Sequence, residues 1–320
     1  MITDSSFRPA WWCRNRHLQT LYPSLLRRRV MPALRRQRLE LPDGDFLDID
    51  WTAQPGTRRV LVLHGLEGSL ESHYSGGLLK YLAQRGYRVG LLYFRGCSGA
   101  PNRLARGYHS GETGDLDFVM RRLHETQPGV PLAVIGFSLG GNVLLKWLGE
   151  QGSNAPLSTA IAISVPFDLD SAARQLQRGL SRIYQHHLLA RLRQSVILKA
   201  AAHPPPVPLQ RLRTLRSFHD FDNAITAPLH GFRDADDYYH RSSSKQFLKH
   251  IRIPTLMLQS RDDPFLPVTA LPTAHELGSQ VTLELSEHGG HVGFVAGNNP
   301  SRPVFWLEQR IASHLDNISP

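Results

Sequence analysis

The sequence predicts an α/β protein: a mostly parallel sheet flanked by helices and interrupted by a helical insertion. Three observations predict it. Short apolar, β-branched runs alternate with segments of helical spacing between residues 46 and 166. From 167 to 245 the rhythm breaks into a polar, Arg- and His-rich stretch that is helical where it is regular. From 254 onward the alternation resumes. Strands alternating with helices make βαβ units, whose sheet is parallel and covered on both faces.

Taken in order, "FLDIDWTA" (46–53) alternates apolar and acidic residues, as a half-exposed strand does. "RRVLVLHG" (58–65) and "YRVGLLYF" (87–94) read as buried strands, with the glycine-terminated helix "SGGLLKYLAQRG" (75–86) between them. "GDLDFVMRRLHETQ" (114–127) reads as a helix with acidic residues in its first turn, where they suit the dipole. Strand "PLAVIGF" (131–137), helix "LGGNVLLKWLGEQG" (139–152) and strand "LSTAIAISVP" (157–166) follow. In the insertion, "SRIYQHHLLARLRQSVILKAA" (181–201) is a long helix stopped by "HPPPVP". Strand "PTLMLQS" (254–260), helix "VTALPTAHELG" (268–278), strand "VTLELSEHGG" (281–290) and helix "RPVFWLEQRIASHL" (302–315) complete the series. Residues 1–40 carry little periodicity and read as a basic arm packed on a core built from 41–166 and 246–320, with 167–245 inserted.

The chemistry concentrates at strand ends. Gly136-Phe137-Ser138-Leu139-Gly140 fits G-x-S-x-G between a predicted strand and a predicted helix. The turn is sharp, so side chains two residues either side of the serine would collide, and glycine occupies both places. A serine hydroxyl needs a base to become a nucleophile. "SEHGGHVGFVAG" (286–297) offers His288 and His291. His291 follows two glycines on a predicted loop and is the preferred base; His288, at the strand end, reads as a hydrogen-bonded structural residue. The base needs an acidic orienter, and Asp262-Asp263-Pro264 ends the preceding strand. Asp263 is the choice, with Asp262 bracing the loop. The oxyanion donors expected are the backbone N–H groups of Leu139 and of Leu66, in the loop His64-Gly65-Leu66-Glu67-Gly68, with His64 structural.

Composition bounds the remaining classes. Of 320 residues, 41% are hydrophobic, enough for a sizeable core. Lys and Arg number 37 against 27 Asp and Glu, a net charge of +10 that favours anionic partners. Two cysteines, Cys13 and Cys97, argue against a disulfide framework or a cysteine-rich zinc site. The N-terminus lacks the order of a secretory signal, no run approaches the roughly 18 apolar residues of a membrane span, and a cytoplasmic location is expected.

The sequence resembles the α/β hydrolases, more closely their YheT-like branch, the AB hydrolase 4 family. The segments that carry the resemblance are "NRHLQTLYP" (15–23), "HGLEGS" (64–69), "YFRGCSGAPNRLARGYHSGETGDL" (93–116) and "GFSLGGNVLLKWLGE" (136–150). To these add "FDNAITAPLHGF" (221–232), "SRDDPFLP" (260–267) and "EHGGHVGF" (287–294). The resemblance implies an α/β-hydrolase fold with an inserted helical lid, a Ser138, Asp263, His291 triad and carboxylic-ester hydrolysis.

Other features are weighed as follows. Arg95, Asn102, Tyr108 and His109 either shape the substrate mouth or brace their loop. Cys97 reads as a structural thiol. Tyr238 and its neighbours either lean over the site or begin a helix. The scattered His and Asp of the insertion lack metal-ligand spacing, so no metal is expected. The basic arm either approaches anionic lipid headgroups or packs along the domain, and packing is preferred. No nucleic-acid module is present. The function expected is a cofactor-free serine esterase acting on short- to medium-chain acyl esters through an acyl-enzyme. The rival readings are a membrane-surface lipid or phospholipid acyl hydrolase and a non-catalytic binding protein on the same scaffold.

Overall fold

The structure, a computed structural model, describes residues 1–53, 56 and 58–318. Its strands are β1 (Ile2–Asp4), β2 (Leu34–Glu40), β3 (Phe46–Thr52), β4 (Arg58–Leu63), β5 (Tyr87–Tyr93), β6 (Leu132–Phe137), β7 (Thr159–Ile163), β8 (Thr255–Ser260), β9 (Val281–Ser286), β10 (Val295–Ala296) and β11 (Val304–Phe305). Nine of them form one sheet in the order β1-β9-β8-β7-β6-β4-β5-β3-β2. β3 alone is reversed against the common direction of the sheet: its pairings with β2 and β5 are antiparallel, and the other pairings described are parallel.

The α-helices are α1 (Arg16–Leu26), α2 (Ser75–Ala83), α3 (Gly114–Thr126), α4 (Leu139–Gln151), α5 (Leu169–Leu176), α6 (Ser181–Lys199), α7 (Leu209–Leu212), α8 (Phe218–Phe221), α9 (Ala227–His230), α10 (Ala235–Ser242) and α11 (Trp306–Asp316). Two apolar cores lie on opposite faces of the sheet. Leu116 and Val119 of α3 and Val143 and Trp147 of α4 fill one. Leu78 and Leu82 of α2 and Ile311 and Leu315 of α11 fill the other. Helices α5 to α10 form the insertion between β7 and β8, with small apolar clusters of their own. A π-helical turn at Asp222–Thr226 joins α8 to α9. No helix among the described residues is long and apolar enough to cross a membrane.

Three elements differ from the sequence reading. β3 is buried at every position rather than half-exposed. Its acidic residues do not face water: Arg38 grips Asp48 and Arg36 grips Asp50, each through two hydrogen bonds of 2.8 and 2.9 Å. Buried carboxylates survive when paired and fully hydrogen-bonded. The expected helix 268–278 is two single 3-10 turns, Val268–Ala270 and Ala274–Glu276. Pro272 lies between them, where it lacks an N–H and disfavours helical backbone at Leu271. The last helix starts at Trp306 rather than 302, because Val304 and Phe305 pair with Val295 and Ala296. Residues 1–40, where no periodicity was evident, supply strands at both edges of the sheet together with α1.

Candidate active site

Strand β6 ends in the middle of the sheet and turns at once into α4. Ser138 makes the turn with φ 50° and ψ −116°. A non-glycine residue at positive φ is strained, and such strain persists only where surrounding structure enforces it. Here glycines enforce it. A Cβ on Gly136 would lie 2.5 Å from the Gly140 carbonyl oxygen, and one on Gly140 would lie 2.5 Å from the His64 carbonyl oxygen. The strand and helix can approach this closely only without those side chains. Ser138 N–H is held by the Ile163 carbonyl at 2.8 Å.

The loops after β8 and β9 bring two more groups to the serine. Ser138 Oγ donates to His291 Nε2 at 2.9 Å. His291 Nδ1 lies 2.9 and 3.2 Å from the two oxygens of Asp263. An Nδ1–H donated to the carboxylate leaves Nε2 as the acceptor, the tautomer that proton abstraction from serine requires. Asp263 is buried and accepts two further bonds, from Gln259 Nε2 at 3.1 Å and Phe265 N–H at 2.8 Å. The Phe265 ring stacks on the His291 imidazole at a centroid distance of 3.9 Å, 2° from parallel. The neighbouring Asp262 accepts from Gly290 N–H at 3.0 Å and faces His288 at 3.3 Å. It braces the loop and makes no bond to His291.

The loop after β4 closes the other side. His64 is fully buried; its Nδ1 bonds the Gly65 carbonyl at 2.6 Å and its Nε2 accepts from Phe94 N–H at 3.2 Å. Burial pushes its pKa down to about 4, so it is neutral at pH 7. Gly65 N–H donates to Tyr74 Oη at 2.8 Å. Glu67 takes φ 50°, and its N–H donates to Tyr108 Oη at 2.7 Å, while that hydroxyl donates to Glu67 Oε1 at 2.9 Å. Leu139 N–H, at the first position of α4, and Leu66 N–H meet no acceptor among the described residues. Both residues line the cavity above Ser138.

That cavity holds 660 Å³ and is bounded by Ser138 and His291, by α1 and by the insertion. Its wall is largely apolar: Leu21, Leu169, Leu176, Leu188, Leu192 and Phe218 contribute. The loop after β5 divides its residues between two tasks. Arg95 and Asn102 brace it: Arg95 holds Asp115 through two bonds of 2.6 Å and Asp45 at 2.9 Å, and Asn102 reaches Asp45 at 2.6 Å. Tyr108 and His109 face the cavity. Burial and nearby cations push the His109 pKa down to about 2. Tyr238 and Tyr239 of α10 also reach the cavity wall. Burial holds the Cys97 thiol well above its ordinary pKa, which suits an inert structural thiol. Among the described residues no three His, Cys, Asp or Glu side chains gather closely enough to hold a metal ion.

Sequence reasoning missed several contributors. Thr20 of α1 accepts from His291 N–H at 3.0 Å. Ser195 of α6 donates to Glu67 Oε2. Asp222 lines the cavity, accepts from the Tyr239 and Thr226 hydroxyls at 2.7 and 2.6 Å, and is pushed by burial to a pKa of about 6. Phe265 was visible within "DDPFLP", but its stacking was not. No local pattern announces the others, which depend on pairings across the fold.

Comparison with known proteins shows the family and the fold. The alpha/beta hydrolase fold family matches residues 58–297. The chain is 42% identical over 319 residues to the "Putative esterase YheT" of Escherichia coli (strain K12), covering 98% of this chain and 94% of that protein. It is 30% identical over 316 residues to Phospholipase ABHD3 of Mus musculus, covering 95% of this chain and 77% of that one. The solved structure of the Pyrococcus furiosus esterase Pf2001 matches with a TM-score of 0.58 at 16% identity, over 90% of this chain and 94% of that chain, a likeness of fold alone. The chain belongs to the α/β-hydrolase fold family, on its YheT-like branch.

Proposed function

We propose that this protein is a serine hydrolase of carboxylic esters acting through an acyl-enzyme. The observation that carries the reading is the hydrogen-bonded series Ser138–His291–Asp263 at the floor of a largely apolar cavity. In this reading Ser138 Oγ attacks the acyl carbon while His291 Nε2 takes its proton. Asp263 orients the imidazole and stabilises its cation. The Leu66 and Leu139 N–H groups bind the oxyanion. His291 then protonates the leaving alkoxide, and water, deprotonated by the same nitrogen, releases the acid. No cofactor enters. Residues 41–166 and 246–320 act as the catalytic core, 1–40 as a basic segment packed on it and 167–245 as a lid. The apolar wall supplied by the insertion suits short- to medium-chain acyl groups.

A second reading, a lipid or phospholipid acyl hydrolase working at a membrane surface, draws support from relatives named Phospholipase ABHD3 and Monoacylglycerol lipase. It includes peripheral contact with anionic lipid. Against a non-catalytic binding role, with the basic arm as its contact surface, stands the spacing of Ser138, His291 and Asp263, which suits proton transfer. The test is fluorophosphonate labelling of the protein and its Ser138→Ala variant, with turnover of p-nitrophenyl esters of increasing chain length. Labelling and turnover lost in Ser138→Ala support the reading; equal labelling of both proteins removes Ser138 as nucleophile.

A further inference from the structure

The formal charge of the chain is unevenly divided. Residues 5–39 and 171–219 contain eighteen Lys and Arg and no Asp or Glu. The other residues carry nineteen Lys and Arg against twenty-seven Asp and Glu. A chain of net charge +10 is thus a mildly acidic body bearing two acid-free segments of +18 together.

The fold brings one helix of each segment to the same place, while Arg36 and Arg38 of the first pair with Asp50 and Asp48 at the sheet edge. Helix α1, from the first, and helix α6, from the second, both line the cavity above Ser138. They touch through His17 Nδ1 and Tyr184 Oη, 3.0 Å apart. Leu25 of α1 and Ile183 of α6 line the cavity yet are 74% and 62% exposed, so both stand at its rim. Leu18 and Leu26 of α1 and Leu180, which precedes α6, are also exposed. Around them Arg14, Arg16, Arg28, Arg178, Arg182 and Arg191 are exposed, and none pairs with a carboxylate among the described residues.

We propose that this rim, formed by α1 and the start of α6, is a docking face for an anionic lipid bilayer, with the mouth of the cavity turned toward the membrane. Cations without acidic neighbours are drawn to anionic headgroups, and exposed aliphatic side chains among them enter the headgroup–acyl boundary. A nucleic-acid face would want the same cations but has no use for leucine and isoleucine, since bases stack on aromatic or guanidinium planes. The catalytic consequence is that an acyl ester moves from the bilayer into the apolar cavity without crossing water. The docking face rests on the lipid-ester reading for its purpose, though not for its chemistry.

The test is co-sedimentation of the full-length Ser138→Ala protein, which leaves the lipid intact, with vesicles of phosphatidylcholine alone or with about 30% phosphatidylglycerol. The expected result is binding only to the anionic vesicles, weakened by salt. Arg28→Glu with Arg182→Glu should lower the partition coefficient at least about tenfold. Leu18→Ser with Leu26→Ser should lower it several-fold, with unchanged thermal midpoints in both pairs. No binding to anionic vesicles, or binding indifferent to both pairs, overturns the proposal. Loss on charge reversal but none on leucine replacement, with equal competition by an RNA duplex, also overturns it in favour of a general polyanion face. If the anionic vesicles are bound as expected while the native protein hydrolyses no ester, the docking face stands and the hydrolase reading falls.

Discussion

Acid should destabilise this protein through His64 at pH values where ordinary carboxylates are still ionised. The side chain is fully buried, and burial lowers its pKa from an ordinary 6.5 to about 4. Folding therefore favours the neutral ring, and the unfolded chain binds the extra proton. Stability is complete above pH 6.5 and declines as pH falls through that value toward 4. Linkage between those two pKa values gives a loss from this residue of about 2 kcal/mol at pH 5 and about 3 kcal/mol at pH 4. The structural reason is visible in the bonds. Nε2 accepts from Phe94 N–H, and a proton placed there sets donor against donor. The assay is urea unfolding at pH 7.5, 6, 5 and 4 for the native protein and His64→Gln. Gln does not titrate, so the difference between the two curves should shrink by the stated amounts as pH falls. Parallel curves would refute the assignment of His64 as a neutral brace beneath the loop that carries Leu66.

Asp263→Asn should leave the fold intact and lower kcat on the order of 10⁴-fold, because an amide favours the wrong imidazole tautomer; stopped-flow turnover of a short p-nitrophenyl ester checks it. Gly140→Ala should cost roughly 2–3 kcal/mol, since its Cβ would meet the backbone carbonyls of His64 and Leu63 at 2.5 and 2.7 Å. Gly141→Ala, whose methyl meets the Val165 side chain at 2.7 Å, should cost less in the same calorimetric comparison. Ser195→Ala and Glu67→Gln should each lower kcat more than they raise KM. In a double-mutant cycle they should couple by about 1 kcal/mol, and additive effects would show that the α6 contact does not act through the loop.

The strand ends were legible in the sequence because each is a local event. A β-branched run that stops at glycine, a G-x-S-x-G turn and an Asp-Asp-Pro all announce themselves within ten residues. Asp263 and His291 could be preferred over Asp262 and His288 on loop position, and the structure puts the preferred pair within hydrogen-bond reach of each other and of Ser138. What escaped depends on distant partners. The buried acids of β3 looked solvent-facing because their arginine partners lie on another strand, which the sequence reading left without structure. Residues 268–278 keep a helical spacing that Pro272 interrupts, because proline has no N–H to donate and disfavours helical backbone before it. The Thr20–His291 and Ser195–Glu67 contacts span 271 and 128 residues, and no periodicity encodes such a meeting.

Those two distant contacts divide the site by origin. Ser138 is fixed by the sheet, through the Ile163 carbonyl and the glycine-lined turn. Asp263 is fixed by its own loop and by Gln259 of β8. The two loops that complete the site are each tied to a rim helix instead: His291 N–H to Thr20 on α1, and the strained Glu67 to Ser195 on α6. The helices in turn meet through His17 and Tyr184, whose ring packs near Phe265, the residue stacked on the imidazole. Rim, base loop and oxyanion loop are therefore one connected network. Helix α6 also touches the loop that carries Asp263, where Ser181 Oγ donates to the Pro264 carbonyl at 2.7 Å, so a shift of α1 against α6 acts on the His291, Glu67 and Asp263 loops while Ser138 stays with the sheet. On the proposed mechanism, the two helices hold the loops that carry the proposed base His291 and the proposed oxyanion donor Leu66, and the sheet holds the proposed nucleophile Ser138.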